Sequence, residues 1–162
     1  HLVVSPRLPE AADIVHTRLF EDRYAVYYDA ARRRAPGTLA EFEAAEHVLV
    51  RHAPALPLLI DGFLEARGVR RRIGVEVADF AGARAFVRGT DRIATLPSLL
   101  RLGALAGLAQ AEPPFACEPL RLYALWHQRL QDDPMHRWLR GCLAQATRAA
   151  LQGLDATQTQ SA

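Results

Sequence analysis

Hydrophobic positions along the chain alternate between a strand pattern and a helix pattern. Leu2–Ser5 is a short Val-rich run ended by Pro6, and it predicts a buried strand. The β-forming residues of 15–28 predict an extended segment that breaks near Glu21 and Asp22. Further apolar or alternating runs predict strands at 47–51, 72–77, 92–96 and 120–126.

Helix signals separate these strands. Thr38 and Glu41 form a capping box that predicts a short helix through about Ala45. Asp79 is suited to cap a helix that stops at Gly89. Pro57 is predicted to open a helix, with an apolar stripe of Leu58, Leu59, Phe63 and Leu64 and a stop at Gly68. Pro97 is predicted to open a shorter helix that ends by Gly103.

The last predicted helix begins after Asp132 and Asp133, which we interpret as caps before Pro134. Its apolar residues recur every three and four positions, which predicts a packed face of Met135, Trp138, Leu139, Cys142, Leu143 and Ala146. On this face Cys142 is interpreted as a small buried hydrophobe. The polar tail from about Gly153 is expected to fray. Strands that alternate with helices predict an α/β fold with mainly parallel sheets.

Composition narrows the class of protein. The chain has 162 residues, enough for one domain or two small lobes, and its formal net charge is only +2. All its basic residues are Arg, but no dense basic cluster predicts nucleic-acid binding. No stretch is apolar enough to cross a bilayer. Cys117 and Cys142 are expected to be free thiols. His1 is not a start residue, so a fragment or a processed chain is expected.

Catalytic and cofactor signals are weak. The six His residues are scattered and predict no metal site, and no glycine-rich phosphate-binding motif predicts a cofactor. Neither Ser5 nor Ser98 lies in a nucleophile motif. More informative are four junctions where a strand runs into a helix, at 5–6, 51–53, 79–80 and 95–97. In open α/β sheets, ligands bind at such junctions. The pattern alone favours neither interpretation of these junctions, a binding cleft or ordinary loops.

Several segments resemble the effector-binding domain of LysR-type transcriptional regulators, in the branch with nodulation and aromatic-degradation regulators. They include Leu19-Phe20-Glu21-Asp22-Arg23-Tyr24, the Thr38 capping box, His47-Val48-Leu49-Val50, and Phe63 to Val69. They continue with Asp91-Arg92-Ile93-Ala94-Thr95-Leu96-Pro97, Leu125-Trp126-His127, Asp133-Pro134 and Trp138-Leu139. The similarity runs from about Leu2 to Ala146.

This resemblance implies an α/β fold of two Rossmann-like subdomains of the periplasmic-binding-protein type. Residues 1–28 and 119–162 would form part of subdomain I, whose opening portion is absent and which is therefore incomplete. Residues 29–118 would form subdomain II. The winged helix-turn-helix and linker helix that precede this domain in the family would also be absent. DNA contacts are therefore expected only through that absent N-terminal part.

The resemblance further implies a small-molecule sensor in the cytoplasm, without catalysis, cofactor, metal or membrane contact. The effector would bind in the cleft between the lobes and alter the geometry of a homodimer or homotetramer. We expect Phe80 to cover an aromatic effector and Ser5, His52 and Thr95 to bind its polar end. The alternatives are a periplasmic-type solute-binding protein, an α/β enzyme, and a domain that only oligomerises.

Overall fold

The chain divides into two units, each of which has its own internal contacts. Unit 1 comprises His1–Glu21 and Leu120–Ala162, and unit 2 comprises Asp22–Pro119. The computed structural model describes residues 1–52 and 56–159. The subdomain boundaries that the resemblance implies stay a prediction.

Nine strands and four α-helices follow one another in the described residues. In chain order they are β1 (Leu2–Ser5), β2 (Ile14–Asp22), β3 (Tyr24–Tyr28), α1 (Leu39–Ala44), β4 (Glu46–His52), β5 (Leu56–Pro57), α2 (Leu59–Ala66), β6 (Arg72–Val77), α3 (Phe80–Val87), β7 (Ala94–Pro97), β8 (Ala109–Ala111), β9 (Leu120–His127) and α4 (Pro134–Thr159). A 3₁₀ helix at Ser98–Leu102 follows β7, and another at Gln128–Leu130 follows β9.

Unit 1 is a three-stranded sheet followed by a long helix. The strand order is β1-β9-β2, so β9 is central and β1 is an edge strand. β1 and β9 run antiparallel, with Leu2 opposite Trp126 and Ser5 opposite Tyr123. The chain then turns through the second 3₁₀ helix into α4.

Unit 2 contains the parallel part of the fold. β4 and β6 are parallel neighbours, and α2 provides the helical crossover that this arrangement requires. A parallel bridge joins His47 to Ile93, directly before β7. β3 runs antiparallel to both β7 and β8. The prediction of mainly parallel sheets is therefore wrong for the described pairs, because β1, β3 and β5 meet strands that run in the opposite direction.

The main core lies in unit 2, between the β3 and β4 sheets and α3. Its buried residues are Ala25, Tyr27, Val48, Val50, Ala83, Val87, Ala94, Leu96 and Leu105. Each strand contributes alternate residues, because successive side chains point to opposite faces. This packing fixes the carboxyl ends of β4, β6 and β7 on one scaffold.

Capping chemistry was predicted correctly. The Thr38 hydroxyl accepts from the Glu41 amide at 3.2 Å, and the Glu41 carboxylate accepts from the Thr38 amide at 3.2 Å. The Asp79 carboxylate accepts from the Gly82 amide at 2.7 Å. Gly89 takes a positive φ of 74° just after α3, as a helix-ending glycine does.

Three details around α2 and β8 differ from the predictions. Pro57 does not open α2; it lies in β5 opposite Arg51, and the Asp61 carboxylate instead accepts from the Leu58 amide at 2.8 Å. The buried face of α2 uses Ile60 and Leu64, whereas Leu59 is exposed. β8 was not predicted at all.

The predicted packed face of α4 is wrong. Met135, Trp138 and Leu139 are 71%, 64% and 41% exposed, and Cys142 is exposed as well. The packed side of α4 carries His136 instead, 7% exposed. The tail expected to fray from Gly153 is helical to Thr159, and residues 160–162 lie outside the described residues.

Candidate functional site

The carboxyl ends of three strands define one edge of unit 2, although β4 and β6 belong to one sheet and β7 to another. β4 and β6 are parallel, and β7 follows the parallel bridge from Ile93, so their carboxyl ends point the same way. At this edge β4 ends at His52, β6 leads through Ala78 into α3, and β7 leads into the first 3₁₀ helix. Ligands in open α/β sheets bind outside such carboxyl ends.

His52 and Phe80 are in direct contact at this edge. Their ring centroids lie 5.5 Å apart with an interplanar angle of 89°, an edge-to-face arrangement. His52 Nδ1 lies 2.9 Å from the carbonyl oxygen of Ala78, which can only accept a hydrogen bond. A hydrogen bond to this carbonyl requires a proton on Nδ1, so the tautomer that makes it has its acceptor at Nε2.

The first turn of α3 adds hydrogen-bond donors beside this pair. The Asp79 carboxylate caps the Gly82 amide, and the Asp79 carbonyl accepts from the Ala83 amide at 3.2 Å. The preceding amides, of Phe80 and Ala81, are first-turn groups without an intrahelical acceptor. The positive end of the helix dipole at this point favours an anionic or polar ligand group.

Thr95 contributes a buried hydroxyl. It lies in β7 opposite Val26 and is 3% exposed. Its strand neighbours Ala94 and Leu96 belong to the core cluster, so Thr95 points to the other face of the sheet. Its Oγ1 has no hydrogen-bond partner within the described part of the chain.

Ser5 is placed differently from the other three predicted contacts. It ends β1 in unit 1, and its hydroxyl donates to the Arg7 carbonyl at 3.1 Å and accepts from the Arg7 amide at 3.0 Å. The structure therefore brings His52 and Phe80 into contact, places Thr95 on a neighbouring strand of the same unit, and gives Ser5 a local turn in unit 1.

A buried polar clamp behind the end of β7 was not predicted. Asp22 accepts from the Ser98 hydroxyl at 2.6 Å and from the Leu99 amide at 3.2 Å. The Tyr27 hydroxyl lies 2.8 Å and 2.7 Å from the carbonyl oxygens of Pro97 and Ser98. The only sequence signal was a carboxylate at a break between two strands, and nothing indicated its partners 76 residues away.

Two charged or titratable side chains of β4, Arg51 and His47, are engaged in contacts within unit 2. Arg51 is paired with Glu76 at 2.9 Å. Burial lowers the pKa of His47 to about 4, so this 1% exposed ring is neutral. Its Nε2 donates to the Phe42 carbonyl at 2.8 Å. Within residues 1–52 and 56–159, no group of three or more His, Cys, Asp or Glu is placed to hold a metal ion.

Comparisons with known proteins agree with this fold. A family profile described as the LysR substrate binding domain matches residues 1–148. NagR of Ralstonia sp, a transcriptional activator, is 31% identical over 127 residues, which are 76% of this chain and 42% of NagR. SyrM of Rhizobium meliloti, a transcriptional regulator, is 33% identical over 116 residues, 70% of this chain and 36% of SyrM. The chain thus spans less than half of these relatives.

Solved structures give the same picture. The regulatory domain of MexT, a transcriptional activator of Pseudomonas aeruginosa, is 28% identical with a TM-score of 0.72, and the match covers 89% of this chain and 71% of that domain. The effector binding domain of QuiR in complex with shikimate, at 13% identity and a TM-score of 0.71, shows the shared fold over 91% of this chain and 72% of that one.

The relatives are transcriptional regulators and not enzymes, which confirms the predicted absence of catalysis. No helix in the described residues is long and apolar enough to span a membrane. The resemblance and the periplasmic-binding-protein-like α/β fold predicted from the sequence are confirmed. With a family profile that covers most of its length, this chain belongs to the LysR substrate-binding domain family, the effector-binding domain of LysR-type transcriptional regulators.

Proposed function

We propose that this chain senses a small aromatic effector for a LysR-type transcriptional regulator, and that unit 2 provides most of the contacts. The observation that carries the proposal is the edge-to-face contact of His52 with Phe80 at the start of α3. An aromatic ring and an imidazole at a strand end, beside a helix N-terminus, can bind the apolar and polar ends of one small molecule.

Phe80 is the aromatic contact. The edge-to-face contact with His52 orients the Phe80 ring, and Phe80 is also packed against the core cluster. A ring held in this way loses little freedom when a flat ligand covers it, so an aromatic effector gains both area and preferred ring geometry.

The polar end of the effector requires donors and an acceptor. His52 Nε2 is available because Nδ1 is committed to Ala78. The α3 amides supply donors, and the buried Thr95 hydroxyl supplies one more group, which has no hydrogen-bond partner among the described residues. Since Arg51 is paired with Glu76, a carboxylate or hydroxyl of the effector would depend on the helix N-terminus rather than on this cation.

Binding would act on the assembly by population shift. An effector that binds one arrangement of the regulator more tightly increases the population of that arrangement. In a homodimer or homotetramer this changes the spacing of the DNA-reading parts, which we assign to a winged helix-turn-helix outside these 162 residues. Full-length CbnR, which shares the fold at 14% identity, was solved with its target DNA, and this supports the assignment. We place this regulator in the cytoplasm, where its DNA target would be.

The second function considered from the sequence was an exported solute-binding protein. No observation favours it, because the similar curated proteins described above are regulators of transcription. The domain that only oligomerises is tested by the same experiment as the sensor.

The experiment is a thermal-shift screen followed by calorimetry on the protein expressed from its complete reading frame. The panel is small aromatic acids, phenols and flavonoids, because a ligand that binds only the folded state raises the melting temperature. For the best ligand, we expect Phe80→Ala to weaken binding at least about tenfold, the loss of one aromatic contact of about 1.5 kcal/mol. His52→Gln and Ser5→Ala test the polar contacts one at a time.

Phe86→Ala is the matched control, because Phe86 lies on the same helix and is 45% exposed. It should leave the affinity unchanged. Equal affinities of wild type and Phe80→Ala would contradict the proposed site. No stabilising ligand across the whole panel would contradict the aromatic class and favour a domain that only oligomerises.

A further inference from the structure

Folding brings three separate segments of the chain to one end of unit 2. β4 and β6 begin at this end, β7 follows the bridge of Ile93 there, and β3 ends there. The segments at this end are 29–38, 67–72 and 88–93, which together we call the basic edge. The basic edge lies at the opposite end of β4 from His52 and the proposed effector contacts.

The basic edge concentrates the positive charge of the protein. Its three segments contain three, four and two arginines, which are nine of the 20 cationic residues of the chain. They contain only two of its 18 acidic residues. The two runs of arginine at 32–34 and 70–72 are far apart in the sequence and lie at the same end of unit 2 only after folding. Since the whole chain has a net charge of only +2, this surface is a local excess of charge.

Hydrogen bonds connect two of the three segments and orient one arginine. The Asp29 carboxylate accepts from the Gly89 amide at 2.6 Å. Arg33 Nη1 donates to the Asp91 carbonyl at 2.9 Å, and Arg33 Nε donates to the Arg34 carbonyl at 3.0 Å. Neutral main-chain oxygens therefore hold this guanidinium in place. A cation oriented in this way can bind an anion with little further loss of side-chain freedom.

Most arginines of the basic edge have no carboxylate partner. Ion pairs engage three of the nine, namely Arg32, Arg71 and Arg92. Among the described residues, the other six are in no ion pair: Arg33, Arg34, Arg67, Arg70, Arg72 and Arg88. Arg51, at the opposite end of β4, is paired. The basic edge thus carries positive charge that its own carboxylates do not compensate.

A depression with apolar and cationic lining lies within the basic edge. Its volume is about 480 Å³, and its lining includes Arg33 and Arg34 beside Pro36 and Ala45, which are both buried. The carboxylate of Glu41, which also lines the depression, accepts from two main-chain amides. The two arginines can bind acidic groups, while the apolar lining can accommodate one apolar side chain beside them.

We propose that the basic edge binds an acidic segment of a partner protein and that the depression holds an apolar side chain of that segment. Arginine clusters recognise acidic peptide motifs, because a guanidinium can donate two parallel hydrogen bonds to one carboxylate. Leu39 and Ile73 directly follow two of the segments and are 40% and 41% exposed, so they offer further apolar contact. This interaction is separate from effector binding at the other end of the strands.

Duplex DNA fits the basic edge less well than a polypeptide does. Its phosphates present closely spaced negative charges along the whole backbone. Carboxylates lie among the arginines here, since Glu43 accepts from the Arg70 amide at 2.9 Å and Glu46 is paired with Arg92. A polypeptide can place neutral residues opposite these carboxylates, whereas a phosphate backbone cannot. The DNA backbone also has no apolar side chain for the depression.

The probe is a fluorescein-labelled peptide of about ten residues in which Glu and Leu alternate. Its extended length of about 33 Å exceeds the width of an edge of four strands, about 14 Å. We would measure its Kd by fluorescence anisotropy with the protein expressed from its complete reading frame. A peptide with Lys in place of Glu has the same apolar content, and we expect it to bind at least about tenfold more weakly because like charges repel.

Two pairs of substitutions test the basic edge. Arg33→Gln combined with Arg34→Gln should weaken binding of the acidic peptide at least about fivefold, because two cations are removed from the depression. Arg70→Gln combined with Arg72→Gln removes two exposed cations from a different segment and should weaken binding in the same direction. The second pair keeps the test valid if the first lowers the melting temperature, since Arg33 also bonds main-chain oxygens.

Arg137→Gln combined with Arg148→Gln is the matched control, because both arginines are exposed and lie on α4 in unit 1. It makes the same change in net charge and should leave the Kd within about twofold of wild type. No measurable binding of the acidic peptide, or equal losses in the control and the basic-edge variants, would overturn the proposal.

The other possible occupants give different results. If the basic-edge variants lose affinity for a duplex DNA of unrelated sequence but not for the peptide, the surface binds nucleic acid and the proposal is wrong. If they change the oligomeric state in sedimentation, the surface is a contact between copies of the chain, which also contradicts the proposal. None of these measurements requires the effector, so they do not depend on the proposed sensor function.

Discussion

Replacing Thr95 with Val should separate stability from effector binding. The side chain is 3% exposed and its hydroxyl has no partner in the described residues. An unsatisfied buried hydroxyl costs about 1–3 kcal/mol, and Val removes it at nearly the same volume. We expect Thr95→Val to raise the free energy of unfolding by about 1 kcal/mol without effector, which corresponds to about 3 °C in melting temperature.

The same change should weaken effector binding. If the Thr95 hydroxyl bonds the effector, its loss removes one hydrogen bond of about 0.5–1.5 kcal/mol, or roughly a two- to tenfold loss of affinity. Urea denaturation followed by circular dichroism gives the stability, and calorimetry gives the affinity. The two quantities should move in opposite directions.

Thr90→Val is the control for the method. The Thr90 hydroxyl lies 2.9 Å and 3.0 Å from the carbonyl oxygens of Phe86 and Val87 and accepts from the Arg92 amide at 3.2 Å. Its removal should destabilise the protein by about 1 kcal/mol. If Thr95→Val also destabilises the protein by this amount, the Thr95 hydroxyl has a hydrogen-bond partner in the ligand-free protein. The hydroxyl is then not an unpaired group available to an effector.

Three other changes probe the scaffold. Because the pKa of His47 is lowered to about 4 in the folded protein, from 6.5 unfolded, its contribution to stability is complete above pH 6.5 and falls by about 3 kcal/mol as the pH drops to 4. In His47→Gln, the free energy of unfolding obtained from urea denaturation should change less with pH over that range. An unchanged pH dependence would show that other groups cause it. Asp22→Ala leaves the Ser98 hydroxyl and the Leu99 amide without their acceptor. It should lower the free energy of unfolding by about 2–3 kcal/mol in the same assay. A loss of less than about 0.5 kcal/mol would contradict the clamp. Gly89→Ala forces a side chain into a φ of 74° and should lower stability by about 1 kcal/mol, measured as melting temperature.

Local chemistry made much of the fold predictable. The caps at Thr38 and Asp79 involve residues three positions apart, so the sequence contains both partners of each hydrogen bond. The strands at Leu2–Ser5 and Arg72–Val77 were predicted with the observed bounds, because their apolar runs end at turn signals. β5 and β8 have only two and three residues and show no periodicity, which is why they were missed.

Tertiary partners were not predictable in the same way. The spacing of Met135 and Trp138 correctly identified an apolar stripe on α4, but spacing does not say whether anything packs on it. At the candidate site, His52 was predicted from its position at a strand end and Phe80 from its position at a helix start, whereas nothing in the sequence indicated their ring contact. The pairing of Asp22 with Ser98 joins residues 76 apart, and the sequence holds no signal for that distance.

The order of the two units along the chain has a kinetic consequence. Unit 2 is continuous, whereas the β1–β9 pair of unit 1 joins residues 2–5 to residues 123–126. In an unfolded chain this pairing must close a loop of about 120 residues before it gains any contact, and such closure is entropically unfavourable. Once unit 2 has folded, the two segments of unit 1, which end at Glu21 and begin at Leu120, are both attached to a folded unit. They then have fewer conformations to search before β1 pairs with β9. We therefore expect unit 2 to fold first and unit 1 to condense on a chain that is already largely ordered, so the folding rate is set by the contacts of residues 22–119.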